Sequence, residues 1–133
     1  MDSHLLAIED GVKGPDGFLD DLSVALKTEK GLFVLLGCAH RGPVNIIRHL
    51  MKITGEQKVY GVAGGLHLGK ATERRIENTV DFLKGVGVHK VACSHCTGAD
   101  AMSVLRREFD TGYIGNHSGT RVFFIFFGMV APN

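Results

Sequence analysis

The chain has 133 residues, of which 44% are hydrophobic and 22% charged, and its formal net charge is +1. This length and composition predict one domain with its own core, and the small charge argues against nucleic acid or an acidic membrane surface as a partner. No apolar run reaches the roughly 18 residues that a membrane-spanning helix needs. The acidic N-terminus lacks the pattern of a signal peptide, so we expect a soluble, cytoplasmic protein.

The predicted elements begin with two strands and continue as alternating helices and strands. Two apolar runs, residues 22–27 and 32–36, are joined by TEKG, which is typical of a hairpin. A helical spacing of apolar residues begins at Pro43 and ends at Gly55. The later predicted elements are a strand at 58–63, a helix at 72–84, a strand at 88–93, a helix at 99–109 and a strand at 121–127. This order predicts an α/β protein with helices packed on a mixed sheet.

A histidine follows each of three consecutive predicted strands: His40, His67 and His95. Ligands of α/β sheets bind outside the carboxyl ends of the strands, so the three imidazoles are expected at one edge. A single histidine after a strand is more often a loop residue bonded to the backbone, but three in register favour a convergent site. Three neutral imidazoles suit zinc, iron, manganese or nickel, and bound water then becomes a hydroxide nucleophile near neutral pH.

The three cysteines allow a second interpretation of the third loop. Cys93 and Cys96 form a C-x-x-C, the spacing of thiol oxidoreductases and of zinc ribbons, although a ribbon needs a second pair that this sequence lacks. A thiol redox protein therefore stays open as an alternative. Cys38 and Cys93 end predicted strands and are expected to be small buried residues, whereas the role of Cys96 stays open.

Residues 61–72 (GVAGGLHLGKAT) allow a third interpretation, because they place glycines, a lysine and a threonine at a helix start. Such a turn could cradle an anion with its free N–H groups. Its spacing departs from that of a P-loop, so we treat it as an accessory feature.

Three motifs together resemble a known family: GCAHRGPVNI at 37–46, GGLHL at 64–68 and HCTG at 95–98. In this order they resemble the carboxy-terminal half of the metallo-β-lactamase superfamily, over about residues 20–127. The closest branch includes dihydropterin ribofuranosylaminobenzene phosphate synthase and many metal-dependent hydrolases. The resemblance implies a four-layer αββα sandwich with a dinuclear metal site at one edge, often zinc and sometimes iron or manganese.

The resemblance also implies roles for individual residues. His40 and His95 correspond to metal ligands, and His67 to a catalytic residue that binds metal or orients the substrate. The implied contacts to a small-molecule substrate come from Gly64, Gly65, Thr97 and Gly98, with Cys96 as an uncertain site residue. Asp20 and Asp21 resemble an acidic pair ahead of the strand, for which a structural role is equally open.

The sequence departs from the family because it contains no H-x-H-x-D-H, the signature of the superfamily's amino-terminal half. We therefore divide the chain into two parts. Residues 1–19 are an N-terminal segment that can adopt an extended conformation, and residues 20–133 are the carboxy-terminal half of a metallo-β-lactamase-like domain. Its mixed sheet would carry helices on one side and expose the apolar face that the other half covers. We expect a homodimer or a missing N-terminal half as partner.

The hypothesis is thus a metal-dependent hydrolase, in which metal hydroxide attacks an ester or phosphoester-type substrate in the complete enzyme. One alternative is a non-catalytic half-domain that dimerises or pairs with a partner. The other is the C-x-x-C thiol redox protein.

Overall fold

A computed structural model of the chain describes residues 6–123, and of Glu9 only the backbone. This part contains a two-stranded sheet, a four-stranded sheet and three α-helices. The strands are β1 (Leu6–Glu9), β2 (Val12–Pro15), β3 (Ser23–Thr28), β4 (Gly31–Leu36), β5 (Val59–Gly65) and β6 (Lys90–Ser94). The helices are α1 (Pro43–Thr54), α2 (Glu73–Gly85) and α3 (Ala99–Phe109).

The larger sheet is mixed, as the sequence predicts. Its strand order is β3-β4-β5-β6, in which β3 and β4 form an antiparallel hairpin and β4, β5 and β6 run parallel. Because neighbouring parallel strands end at the same edge of a sheet, the loops that follow β4, β5 and β6 leave the sheet side by side.

Local sequence signals account for the helix ends. Pro43 occupies the first turn of α1, where its missing N–H costs no hydrogen bond, and Gly55 caps the other end with φ 75° in the left-handed region. Thr72 caps α2, since its hydroxyl accepts a hydrogen bond from the Arg75 backbone N–H. The three helices predicted for residues 6–123 are confirmed.

All three helices pack on one face of the large sheet. The strand residues of this face alternate along the chain and are buried: Leu32, Val34, Leu36, Val62, Val91 and Cys93. They meet the apolar stripes of the helices, which consist chiefly of Ile47, Leu50, Ile76, Val80, Leu83 and Leu105. The predicted α/β class, with a mixed sheet and helices on one side, is confirmed.

The opposite face of the sheet is apolar but only partly covered. Val24 and Leu35 lie opposite each other on β3 and β4 and keep 44% and 41% of their surface exposed. Leu26 and Ala63 are half-buried on the same face. We call Val24, Leu26, Leu35 and Ala63 the open sheet face; it is an apolar surface of the kind that partners cover.

The N-terminal segment forms a hairpin. β1 and β2 pair antiparallel around a tight turn at Asp10 and Gly11, whose φ values of 51° and 78° are those of hairpin turns. The stretch of residues 10–17, which looks like a linker in the sequence, therefore contains β2. Phe18 follows and is 4% exposed, so the end of this segment is packed against the main domain.

The edge of β6 is partly covered by the chain that follows α3. Tyr113 forms a parallel bridge with Val91, and the Ile114 N–H donates to the Val91 carbonyl. The strand predicted at residues 121–127 is not formed at 121–123, and residues 124–127 lie outside the described part. None of the helices within residues 6–123 is long and apolar enough to cross a membrane.

Candidate metal centre

Three loops meet at the carboxyl edge of the parallel strands, and each carries one of the three predicted histidines. His40 lies in the loop after β4, His67 in the loop after β5, and His95 in the turn after β6. We call these the first, second and third loops. The sequence prediction that the histidines lie at one edge of the sheet therefore agrees with the observed topology.

Hydrogen bonds join the three loops. The Gly65 N–H donates to the Gly37 carbonyl at 2.9 Å, which ties the end of β5 to the first loop. Thr97 ties the second loop to the third, because its hydroxyl accepts from the Leu66 N–H at 3.1 Å and donates to the Ser94 carbonyl at 2.8 Å. These bonds fix the relative positions of the loops that carry the histidines.

Each loop also contains one non-glycine residue with a left-handed backbone. The φ values are 54° at Ala39, 47° at His67 and 55° at His95. Such residues cost about 1–3 kcal/mol each and persist where the surrounding structure holds them, which is commonly at functional sites. Each of the loops that follow the three parallel strands thus contains one residue in this region.

The imidazoles of His40 and His67 are stacked, with ring centroids 4.4 Å apart and planes inclined by 23°. The Phe18 ring also contacts His40, with ring centroids 5.2 Å apart and planes inclined by 56°. The Nδ1 atom of His40 is buried and has no hydrogen-bond partner within residues 6–123. A buried polar atom without a partner is costly, and a metal ion or a substrate donor would satisfy it.

A second group of ligand-type side chains lies beside this stack. One ligand atom from each of Cys38, His95 and Cys96 lies within 4.8 Å of the other two. We call these three residues the thiol–imidazole cluster. Cys38 is half-buried and belongs to this cluster, so its assignment as a small buried residue is wrong.

The Cys96 thiol forms hydrogen bonds with both of the other loops. It donates to the Cys38 carbonyl at 3.3 Å and accepts from the His67 backbone N–H. Burial raises the pKa of the Cys96 thiol, the His67 N–H opposes this, and the neighbouring Cys38 raises it further. Cys96 is therefore the point at which the three loops meet.

The chain is similar to parts of known proteins, although no family model matches it. A 7,8-dihydropterin-6-methyl-4-(beta-D-ribofuranosyl)-aminobenzene-5'-phosphate synthase of Methanocaldococcus jannaschii is 39% identical over 115 residues, which are 86% of this chain and 39% of the synthase. An uncharacterized protein of the same organism is 28% identical over 114 residues, covering 84% of this chain and 41% of that protein.

A solved structure agrees with these relatives. The crystal structure of a metal-dependent hydrolase of the β-lactamase superfamily matches with a TM-score of 0.75 and 34% identity. The resemblance to the metallo-β-lactamase superfamily is confirmed. The match covers 84% of this chain and 43% of the solved one, so the chain spans about two fifths of the length of the three proteins named here.

Cys93 lies apart from the cluster, although it forms the C-x-x-C with Cys96. It is 2% exposed on the helix-covered face of the sheet, and its sulfur donates to the Tyr113 hydroxyl at 3.8 Å. Burial raises the pKa of this thiol. Cys93 and Cys96 thus have different partners, and the small buried role expected for Cys93 agrees with its position.

The predicted substrate-contacting glycines lie where two chain segments approach closely. A Cβ on Gly65 would come within 2.7 Å of the Cys96 sulfur, and a Cβ on Gly64 would overlap the Leu36 carbonyl. Gly98 has φ 81° and faces Gly69 so closely that a Cβ would overlap its Cα. These contacts explain why glycine is present, and binding of a substrate there stays a prediction.

A cavity of about 320 Å³ adjoins His40 and is lined by carboxylates of the chain before β3. Its lining includes Asp16, Asp20 and Asp21 from that segment and Gly37, Cys38 and His40 from the first loop. The Asp21 carboxylate also accepts a hydrogen bond from the Arg41 backbone N–H at 3.0 Å. Asp21 therefore has a structural role, which is one of the two roles that the sequence left open for the acidic pair. Asp16 and Phe18 are not recognisable as site residues from the sequence, because residues 1–19 look separate from the main domain.

A larger cavity, of about 1050 Å³, lies at the opposite edge of the sheet. Its lining includes Lys30, Lys58, Lys84 and Lys90 and no cysteine. Lys84 forms an ion pair with Glu108, and Lys90 donates to the Thr111 carbonyl. Two of these four lysines therefore already have partners within the protein. The smaller cavity, in contrast, adjoins the loop that carries Cys38 and His40, and we take it as the candidate site.

Proposed function

We propose that this chain is part of a metal-dependent hydrolase that acts on a small-molecule ester or phosphoester. The observation that carries the proposal is the delivery of His40, His67 and His95 to one edge by three parallel strands. The unpartnered Nδ1 of His40 supports it, and so does the similarity to a metal-dependent hydrolase of the β-lactamase superfamily.

In this proposal His40 and His95 hold a divalent metal, zinc in the first place and iron or manganese as alternatives. The metal would polarise the substrate and lower the pKa of water. His67 orients the substrate or completes the set of ligands, since its ring stacks on His40. Gly64, Gly65, Thr97 and Gly98 keep the loops close enough for these side chains to act together.

The complete activity requires a partner in this proposal. The open sheet face and the lack of an H-x-H-x-D-H favour either an N-terminal half or a second copy of this chain. A non-catalytic half-domain is the competing proposal. A cytoplasmic location stays a prediction.

A second candidate function follows from the synthase relative at 39% identity. In that case the loops at the carboxyl edge of the sheet would bind a substrate that carries a ribose phosphate, and they would not hydrolyse it. The cavity beside His40 has carboxylates in its lining, which suits hydroxyl groups of a sugar better than a phosphate.

The test is turnover of chromogenic esters and phosphodiesters by the purified chain, with zinc, manganese or iron supplied in turn. Turnover should require metal and be lost in His40→Ala. His49→Ala is the matched control, because His49 is exposed on α1 and away from the three loops.

Different results separate the proposals. Equal turnover in His40→Ala and His49→Ala would contradict a role of the first loop in hydrolysis. No turnover together with no metal binding would instead favour the non-catalytic half-domain. Metal binding without turnover would mean that an N-terminal half is still needed for the reaction, and binding of a ribose phosphate without turnover would favour the synthase-like function.

A further inference from the structure

We infer that Cys38, His95 and Cys96 form a thiolate-containing site for a soft divalent metal, with zinc as the expected ion. This donor set shares only His95 with the metal ligands proposed above. It does not depend on the hydrolase activity, because the inference concerns which side chains bind the metal.

The distances suit a tetrahedral ion. Zinc–sulfur and zinc–nitrogen bonds of about 2.3 and 2.0–2.1 Å place tetrahedral ligand atoms roughly 3.6–3.8 Å apart. The ligand atoms of the cluster already lie within 4.8 Å of one another. Since His95 is exposed and Cys38 is half-buried, side-chain rotation can make the remaining approach without movement of the sheet.

The backbone holds the two sulfurs in place. Cys38 and Cys96 are 58 residues apart, and the parallel strands β4, β5 and β6 bring them together. Gly65 lies between the two loops, and any side chain there would strike the Cys96 sulfur. The site is therefore built into the loop packing rather than formed by two side chains that meet by chance on a surface.

The second loop supplies a hydrogen bond to a sulfur of the site. The His67 backbone N–H donates to Cys96, and such outer bonds orient and stabilise a ligating thiolate. Two thiolates and one imidazole leave a fourth position open, which is the pattern of catalytic rather than structural zinc sites. Thiolates select zinc over magnesium, calcium or manganese, so the donor set predicts a softer metal than imidazoles and carboxylates would.

Cobalt(II) is the probe, because it replaces zinc and gives a near-ultraviolet charge-transfer absorption only when thiolate is bound. The purified chain is titrated with cobalt(II) under reducing conditions without oxygen. We expect the charge-transfer absorption to saturate at one cobalt per cluster and to disappear when zinc is added. Cys38→Ala should lose at least roughly half of it, since one of the two thiolates is removed.

Cys93→Ala is the matched control and should keep the full absorption, because Cys93 lies on the helix-covered face. Cys96→Ala should also lose absorption, and circular dichroism checks that its loops still fold. Cobalt binding without charge transfer, or an unchanged spectrum in Cys38→Ala, would overturn the inference and leave an imidazole-held metal intact. Failure to bind cobalt would overturn it as well.

Discussion

Replacing Thr97 by valine tests how the three loops are held together. Thr97 is fully buried, and its hydroxyl bonds both Leu66 in the second loop and Ser94 at the end of β6. Valine keeps the shape of the side chain but leaves the N–H of Leu66, which is also fully buried, without its partner. A buried unpaired donor costs about 1–3 kcal/mol and each lost bond about 1 kcal/mol, so we expect a loss of about 2–4 kcal/mol.

Thr97→Ser is the matched control, because it keeps the hydroxyl and removes one methyl group, at a cost of about 1 kcal/mol. Both variants are unfolded in urea with a chelator present, so that metal binding does not change the free energy of unfolding. With a slope of about 2 kcal/mol per molar urea, Thr97→Val should lower the midpoint by roughly 1–2 M. A valine variant as stable as the serine variant would refute this account of the loops.

Three further predictions concern the thiol in the core, the open sheet face and the N-terminal segment. Burial raises the pKa of Cys93, so the unfolded chain loses the thiol proton at a lower pH than the folded chain, and the free energy of unfolding decreases as pH rises above about 8.5. Urea unfolding should show a smaller decrease for Cys93→Ala, and an equal decrease in both proteins would contradict this prediction. Leu35→Asp should shift the mass measured by light scattering toward that of a monomer, because Leu35 lies on the open sheet face. Leu19→Asp is the control, since Leu19 is exposed outside the sheet, and the same mass for both variants would exclude the open sheet face as a dimer interface. Phe18→Ala should lower the free energy of unfolding by about 3–5 kcal/mol because Phe18 is buried against His40, and a loss below about 1 kcal/mol would contradict that packing.

The elements of the main domain could be predicted because local signals and the overall fold agree there. Pro43 and Gly55 mark the ends of α1, and the helical spacing between them matches the stripe that faces the sheet. The positions of the histidines after strands also followed from sequence alone, because ligand sites of parallel sheets lie at the carboxyl ends of the strands.

The thiol–imidazole cluster could not be predicted in the same way. Cys38 and Cys96 meet because β4 and β6 flank β5, and spacing along the chain does not reveal strand order. The C-x-x-C pattern pointed instead to Cys93, whose side chain faces the helices because successive strand residues point to opposite faces.

The N-terminal segment was also hard to predict. Asp10 and Gly11 look like part of a linker, and they form a hairpin turn only because both adopt positive φ. The packing of Phe18 on His40 is a tertiary contact between residues 22 positions apart, with no local signal at either one.

The central claim is that the loop edge binds a divalent metal through its histidines, and zinc titration calorimetry tests it most directly. The wild-type chain and three variants, His40→Ala, His95→Ala and His49→Ala, are titrated under the same conditions. Loss of His40 should weaken zinc binding at the His40–His95 site by at least about 10-fold. Loss of His95, which the two proposed sites share, should weaken binding at both, and His49→Ala should bind zinc as the wild-type chain does. Equal binding by all four proteins, or no binding by the wild-type chain, would contradict the account.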